Sequence, residues 1–437
     1  MDKYTKKLIA SVYLKDQKAV RSLDDFTVIS DNPKNLASGY SDAGFDEIIV
    51  FDLSKSGDDA SHDKALDCIK DICKAADVPV TGAGNIKRME DVKKLLYAGC
   101  KKALLNFSKQ GNIDILDEVS KKFGKDKIGI SFSDASQIES NKKQVELLAS
   151  ALFFIGDFTS EAGALLNNCI TTDTPLFVSP LDTESKTPYE IFSGNVFVSG
   201  LYGNYLNGKA SEITDIKTDC LEKGIEMCRL EPAFSWSELK KNSDGMVPVI
   251  VQDYRTDQVL MLAYMNEEAY NNTLRTGKMT YFSRSRNELW IKGETSSHYQ
   301  YVMSLTADCD LDTILAKVKQ IGAACHTGSY SCFFNKIAAK DYSEKNPQKV
   351  LDSVFEVIKD RKENPKEGSY TNYLFDKGID KILKKVGEEA TEMVIAAKNP
   401  NSNEIVYEMS DFLYHMMVLM AEKNVSWEDV TDELSRR

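Results

Sequence analysis

Eight times before residue 225 a short apolar run gives way to an amphipathic stretch, and this repetition leaves the first half of the chain very few folds to adopt. The runs cover residues 8–14, 47–53, 79–83, 103–107, 127–132, 151–155, 175–179 and 196–201. They are rich in Val, Ile and Phe on both alternating faces, as strands buried on both sides must be. Helical patterns such as 63–76, 89–98, 113–123 and 211–223 lie between or after them. Eight strands, each followed by a crossover helix, predict a parallel (β/α)8-like barrel over residues 1–227.

The pattern changes near Cys228 to Pro232. Residues 247–252 and 258–265 read as paired strands around the turn Tyr254-Arg255-Thr256-Asp257, followed by a short helix over 267–275. Further strands are expected over 281–283, 301–306 and 313–318, which together predict an α+β domain over 228–338. A polar stretch over 339–348 reads as a linker. From 350 to 437 the chain reads as all-α. Ile379, Ile382, Leu383, Val386, Ala390, Met393, Val394 and Ala397 follow a 3.6-residue period, Asn399-Pro400 stops that helix, a second spans 403–423, and Ser426 caps a last short one. The fold class is therefore multidomain: barrel, α+β domain, helical domain.

Charge and cysteine usage narrow the function. A net charge of −12 argues against nucleic acid as a partner, because phosphate backbones recruit Lys/Arg surfaces. The first apolar run is interrupted by Lys15-Asp16 and reads as a buried strand, not a secretory signal. No window approaches the ~18 apolar residues of a membrane span. Nine cysteines without a secretory signal predict a reducing, cytoplasmic setting, in which clustered cysteine points to metal chemistry before disulfides.

Three Asp and three Cys crowd between residues 308 and 332. If 308–312 is extended, Asp308, Asp310 and Asp312 share one face and Cys309 points to the other. Three carboxylates on one face call for a cation, and hard oxygen donors suit Mg²⁺. Cys309, Cys325 and Cys332 are soft donors suited to Zn²⁺. Three protein ligands leave one position open, as in catalytic zinc sites. His326, beside Cys325, reads as a general acid/base, with a ligand or packed imidazole as alternatives. His298, in the run Lys292-Gly293-Glu294-Thr295-Ser296-Ser297-His298, divides evenly between a site role and a surface one. A second acidic set lies on the helices: Glu388, Glu389 and Glu392 on one, Glu404, Glu408 and Asp411 on the next. Glu389 and Glu408 border the apolar stripes of their helices, so antiparallel packing would converge both sets on a divalent cation.

These runs carry a resemblance. Trp290 through His298, Asp308-Cys309-Asp310-Leu311-Asp312 and Cys325-His326-Thr327-Gly328 through Cys332 resemble phosphoribosyl-AMP cyclohydrolases. The resemblance implies zinc on Cys309, Cys325 and Cys332, magnesium on Asp308, Asp310 and Asp312, and a dimer whose zinc cysteines come from both subunits. It implies hydrolytic opening of the purine N1–C6 bond, with His326 moving protons. Arg284, Arg286, Lys292 and His298 are candidates for substrate contact, with exposed solvating arginines as the equal alternative for Arg284 and Arg286. Ser369-Tyr370-Thr371, Lys377-Gly378, Lys384 through Glu392 and Glu408-Met409-Ser410-Asp411 resemble phosphoribosyl-ATP pyrophosphatases. That resemblance implies Mg²⁺ on Glu389, Glu392, Glu408 and Asp411, Glu388 as ligand or base, and release of pyrophosphate from phosphoribosyl-ATP. Lys377, Lys381 and Lys385 are candidates for phosphate contact, against a default of solvated helix lysines.

The first half resembles the histidine-pathway barrels, the phosphoribosyl-formimino isomerase and the cyclase, at Gly44-Phe45-Asp46-Glu47 through Asp52, at Gly82 through Lys87 and at Glu90 through Gly99. Where those barrels carry a first catalytic Asp, this chain has Tyr13. The second falls at Ser133 or Asp134. Ser179-Pro180-Leu181-Asp182 lacks a phosphate-loop glycine, and Leu201-Tyr202 follows Ser199-Gly200. A phenol with reference pKa ~10 cannot shuttle protons as a carboxylate does near neutrality. The barrel is therefore expected to be non-catalytic, serving as scaffold, dimerisation surface or ligand sensor. The alternatives are an isomerase using Asp52 or Asp134, a regulatory protein with relic hydrolase domains, and a general nucleotide pyrophosphohydrolase.

Overall fold

The computed structural model describes residues 5–55, 57–169, 173–180, 186–341, 346–400 and 402–435. It divides into two compact units, residues 1–335 and 336–437.

All eight expected strands of the first half form, at Lys7–Lys15, Glu47–Asp52, Val80–Ala83, Lys102–Asn106, Ile128–Phe132, Leu152–Phe158, Leu176–Pro180 and Val198–Leu201. Each pairs in parallel with the next, and the eighth returns to the first with Lys7 opposite Gly200 and Leu8 opposite Leu201, which closes the barrel. Its strands are buried on both faces because helices cover the outside while side chains fill the inside. Ile9, Tyr13, Ile49, Phe51, Leu104, Phe153, Phe177 and Tyr202 make up much of the interior cluster. Gly84, with φ +98°, is required where it lies, since a Cβ there would sit 2.2 Å from the Asp52 carbonyl oxygen. Two details went unanticipated. A short antiparallel arm, Lys18–Val20 with Val28–Ser30, extends the first strand, and the expected helix over 113–123 is broken into Gln110–Asp114 and Leu116–Phe123.

The same unit contains a four-stranded sheet in the order Val259–Met265, Val247–Asp253, Ile314–Gln320, Gln300–Ala307. Its central pair is parallel and its outer pairs antiparallel. In Val247–Asp253, alternate residues are buried, as a strand covered on one face requires. The helix Glu267–Thr276 begins at Asn266, whose side chain accepts the Ala269 amide, and packs beside a separate hairpin, Thr280–Ser283 with Glu288–Ile291. The last strand of that hairpin was not anticipated, being only four residues long.

The second unit is helical: Pro347–Glu363, Tyr370–Lys377, Ile379–Ala396, Ser402–Lys423 and Trp427–Leu434. Ser426 does cap the last helix, in a reciprocal pairing with Asp429. Phe355, Ile358, Leu374, Ile382, Met417 and Val418 form its core. Among the described residues, no helix is long and apolar enough to cross a membrane.

Candidate active sites

The acidic run at 308–312 is not extended. It forms a tight turn between Gln300–Ala307 and Ile314–Gln320, so alternation of faces does not apply. Leu311 takes a left-handed φ of +65°, and the Asp308 carboxylate accepts the amides of Asp312 at 3.0 Å and Thr313 at 3.2 Å. The three carboxylates nevertheless converge: Asp308, Asp310 and Asp312 each offer an oxygen within 4.8 Å of the others. A turn achieves with curvature what a strand would have achieved with its pleat. Lys240 reaches Asp310 at 3.2 Å and offsets part of the negative charge of the turn.

The cysteines divide. Cys325 and Cys332 lie in the loop after Ile314–Gln320 and hydrogen-bond each other. A hydrogen bond from Thr327 to the Cys325 sulfur, 3.1 Å, is the main influence holding that thiol below its ordinary pKa, while burial pushes Cys332 up. Cys309 is exposed on the acidic turn. Among the described residues of one chain, no group of three metal-donating side chains within 4.8 Å includes any of these cysteines. Lys292 is buried close enough to feel both Cys325 and Cys332, and burial lowers its pKa. His326 is exposed, its Nδ1 3.9 Å from the Cys325 sulfur. The His298 ring lies over Gly322, where any Cβ would come within 2.6 Å of it. His298 thus belongs to the loop that carries the thiols. Arg284 and Arg286 have partners nearby: Arg284 stacks 3.8 Å over the ring of Tyr264 in the four-stranded sheet, and Arg286 pairs with Glu288 of the hairpin at 3.2 Å.

In the helical unit Ile379–Ala396 and Ser402–Lys423 fold back on each other, and Glu389, Glu408 and Asp411 bring oxygens within 4.8 Å. Glu389 is buried. Its neighbours are Lys385, 2.8 Å away, and His415 Nδ1, at 3.7 Å. Partial burial, then the carboxylates of Glu392, Glu389 and Asp411, push Glu408 above its ordinary pKa, and Glu392 also hydrogen-bonds it. Mutual repulsion of this kind is what a divalent cation would relieve. Lys385 also meets Glu388 at 3.1 Å, and these two acids hold its ammonium well above its usual value against the cost of burial. Lys377 and Lys381 lie near the ring of Tyr373 instead.

Sequence reasoning missed His415. It is buried, donates its Nδ1–H to the Asp411 carbonyl (2.9 Å) and meets the Tyr370 hydroxyl at 3.1 Å. Its spacing was a usable signal, since residues 408, 411 and 415 share one helix face.

The barrel positions fall as follows. Tyr13 is buried, stacks on Phe51 at 5.2 Å, and burial pushes its phenol up to about 12. Asp134 is exposed and caps the helix Ala135–Glu139 by accepting the Ser136 amide. Ser133 meets Ser108 at 3.1 Å. Asp52 is buried and engaged by His62 Nδ1 at 2.6 Å and Asn85 at 3.1 Å. After the eighth strand the Gly203 amide is already taken by the Ser11 hydroxyl, 3.0 Å, so that turn offers no free donor there for a phosphate. Leu181 and Asp182 lie outside the described residues.

Known proteins match this layout. The phosphoribosyl-AMP cyclohydrolase family matches residues 261–334, the phosphoribosyl-ATP pyrophosphohydrolase family matches 351–437, and a family described as histidine biosynthesis protein matches 7–167. A curated relative from Thermoanaerobacter pseudethanolicus, called histidine biosynthesis bifunctional protein HisIE, is 52% identical over 209 residues, 45% of this chain and 97% of that protein. Proteins of the same name from Caldanaerobacter subterraneus (56% over 200 residues, 46% of this chain and 96% of the relative) and Bacillus subtilis (47% over 200 residues, 46% and 95%) are similar. Each relative is covered almost entirely by under half of this chain.

Proposed function

Because the chain belongs to the bifunctional HisIE family of histidine biosynthesis, and so is a phosphoribosyl-ATP pyrophosphohydrolase and phosphoribosyl-AMP cyclohydrolase, we propose that its two steps run at two separate cation sites built from the residues described above. The observation that carries this reading is the convergence of two independent carboxylate trios, each within 4.8 Å, one in each matched region.

In the helical unit Glu389, Glu392, Glu408 and Asp411 would hold Mg²⁺, which when bound neutralises phosphate charge and orients the triphosphate. Glu388, paired with Lys384 and Lys385 beside the cluster, would serve as a further ligand or accept the proton of the attacking water. His415 and Tyr370 fix the Asp411 end of the cluster. Lys385 balances the acids in the absence of substrate and is available to phosphate, as Lys377 is from the preceding helix. The products are phosphoribosyl-AMP and pyrophosphate.

In the cyclohydrolase region the donor set is soft where the cysteines are and hard where the aspartates are. That fits zinc on Cys325 and Cys332 with Cys309 supplied by a second copy of the chain, and Mg²⁺ on Asp308, Asp310 and Asp312. Zinc at such a site activates water at neutral pH. His326, exposed beside Cys325, moves the proton as the N1–C6 bond opens to the formimino carboxamide ribotide. Lys292 and His298 border the thiols and would meet the substrate there. Arg284 and Arg286 are kept as phosphate contacts on the hairpin. The working assembly is then a homodimer with two small-molecule substrates, no nucleic acid and no membrane. Thiolate ligands would suit a reducing cytoplasm.

We assign the boundaries 1–227, 228–338 and 350–437 to the barrel, cyclohydrolase and pyrophosphohydrolase parts. The barrel is read as non-catalytic. Phe51, Phe153, Phe177 and Tyr202 fill its interior, Tyr13 stands at the acid's position, and Asp134 is engaged in a helix cap.

Purified protein given phosphoribosyl-ATP should release pyrophosphate and then open the ring. Cys309→Ala should abolish ring opening and zinc retention while pyrophosphate release continues. Loss of both reactions in a folded Cys309→Ala protein would refute the two-site reading.

A further inference from the structure

We propose that the barrel acts on the cyclohydrolase chemistry as a buttress, with Asp42 and Asp77 positioning the loop that carries Cys325, His326 and Cys332. This rests on the functional reading above only for what the loop does, not for how it is held.

Two lines of contact run from the barrel to that loop. In the first, the Lys319 ammonium, near the end of Ile314–Gln320, meets Asp77 at 2.7 Å, Asp42 at 2.9 Å and the Ser38 hydroxyl at 3.3 Å. All three charged side chains are largely buried, with 15–22% of their surface exposed. Immediately beyond, Ile321 donates its amide to the Tyr299 carbonyl, 2.9 Å, Gly322 lies under His298, and the chain reaches Cys325. In the second line, the Tyr254 hydroxyl donates to the other oxygen of Asp77 at 3.0 Å. Its neighbour Asp253 accepts the hydroxyl of Tyr330, 2.8 Å, and Tyr330 sits between the two cysteines. Asp77 therefore reaches the loop at its beginning through Lys319 and at its middle through Tyr254 and Asp253.

The charge pattern argues for a built contact. A lysine pairing with two acids across largely buried surface is costly unless each partner is present, so removing one leaves a charge unpaired. Positioning matters because a metal ligand displaced by a fraction of an ångström loses its geometry.

The test uses hydrogen exchange on the full-length protein freed of metal, read on peptides covering 321–332. There the Cys325 amide bonds Ser329 O at 3.0 Å and the Cys332 amide bonds Leu260 O at 2.7 Å. In Lys319→Met these amides should exchange at least fivefold faster, and in Asp42→Asn/Asp77→Asn likewise, with a smaller change in Tyr254→Phe. The strand Val247–Asp253 and the helical unit should keep their wild-type rates. Zinc affinity by chelator competition should fall in the same order. Loop exchange within twofold of wild type, with acceleration confined to the barrel helix Pro33–Ala43, would overturn the proposal and leave the ions merely attaching the barrel. Should Lys319→Met not fold, Tyr254→Phe, which loses one hydroxyl, carries the test. If the protein proves not to use zinc, the exchange result still decides the buttress, and the two readings fail separately.

Discussion

Replacing Glu389 by glutamine keeps the shape of a buried side chain and removes its charge. Two effects separate by size. The first is on folding. Breaking a buried ion pair by deleting one partner typically costs about 3–5 kcal/mol. Here Lys385 keeps Glu388 at 3.1 Å and its side chain is 23% exposed, so solvent and the second acid reduce the loss to roughly 1–2 kcal/mol. The helical unit should stay folded at 25 °C. The second effect is on the cation. Loss of even an outer partner of a metal ligand costs about 10–100-fold in affinity, and among the described residues Glu389 is one of three acids whose oxygens converge within 4.8 Å. Pyrophosphate release should therefore fall at least a hundredfold at millimolar Mg²⁺, with part of the loss recovered as Mg²⁺ is raised. Ring opening of added phosphoribosyl-AMP, followed by its absorbance change, should be unaltered. A Glu389→Gln protein that releases pyrophosphate at the wild-type rate across the Mg²⁺ range would show that the acids do not hold the catalytic cation.

Three further outcomes are expected. Tyr13→Asp should not revive isomerase activity in the barrel. It forfeits the burial of an aromatic ring, about 4–6 kcal/mol at ~25 cal/mol/Å² over ~150–250 Å², and buries a carboxylate, so calorimetry should show the barrel transition lost or strongly lowered; isomerase activity in the unaltered protein would sink the non-catalytic reading. The Asp52 hydrogen bond, against the cost of burial, raises the pKa of His62, so the pair contributes stability in full below ~6.5, the ordinary imidazole value, and loses it as pH rises through the raised folded value. Melting temperature should accordingly decline across that window in the wild type and stay flat in His62→Gln. Asp310→Asn should weaken Mg²⁺ dependence of ring opening without touching pyrophosphate release, and equal effects on both reactions would contradict two separate sites.

The barrel was legible because each strand is buried on both faces, so its apolar run is continuous and the count of eight survives small errors at the ends. The helical acids were legible because 3.6-residue spacing fixes which side chains share a face. The turn at 308–312 was not: Leu311 adopts a positive φ that no local rule assigns to leucine, and only the pairing of the flanking strands enforces it. The helix spacing put His415 on the face of Glu408 and Asp411, but its role there was not legible, since it depends on Tyr370 from another segment. Lys319 gave no signal either, because its partners lie more than two hundred residues away.

That leucine has a kinetic consequence. Holding a branched residue in the left-handed region costs on the order of 1 kcal/mol, offset here by packing the Leu311 side chain against the sheet's core and by its carbonyl accepting the Lys240 amide at 2.8 Å. The contacts that hold the turn in shape thus lie within the chain itself. Capture of a hard cation there should be limited by how fast the ion sheds its own water, not by how fast the chain closes around it.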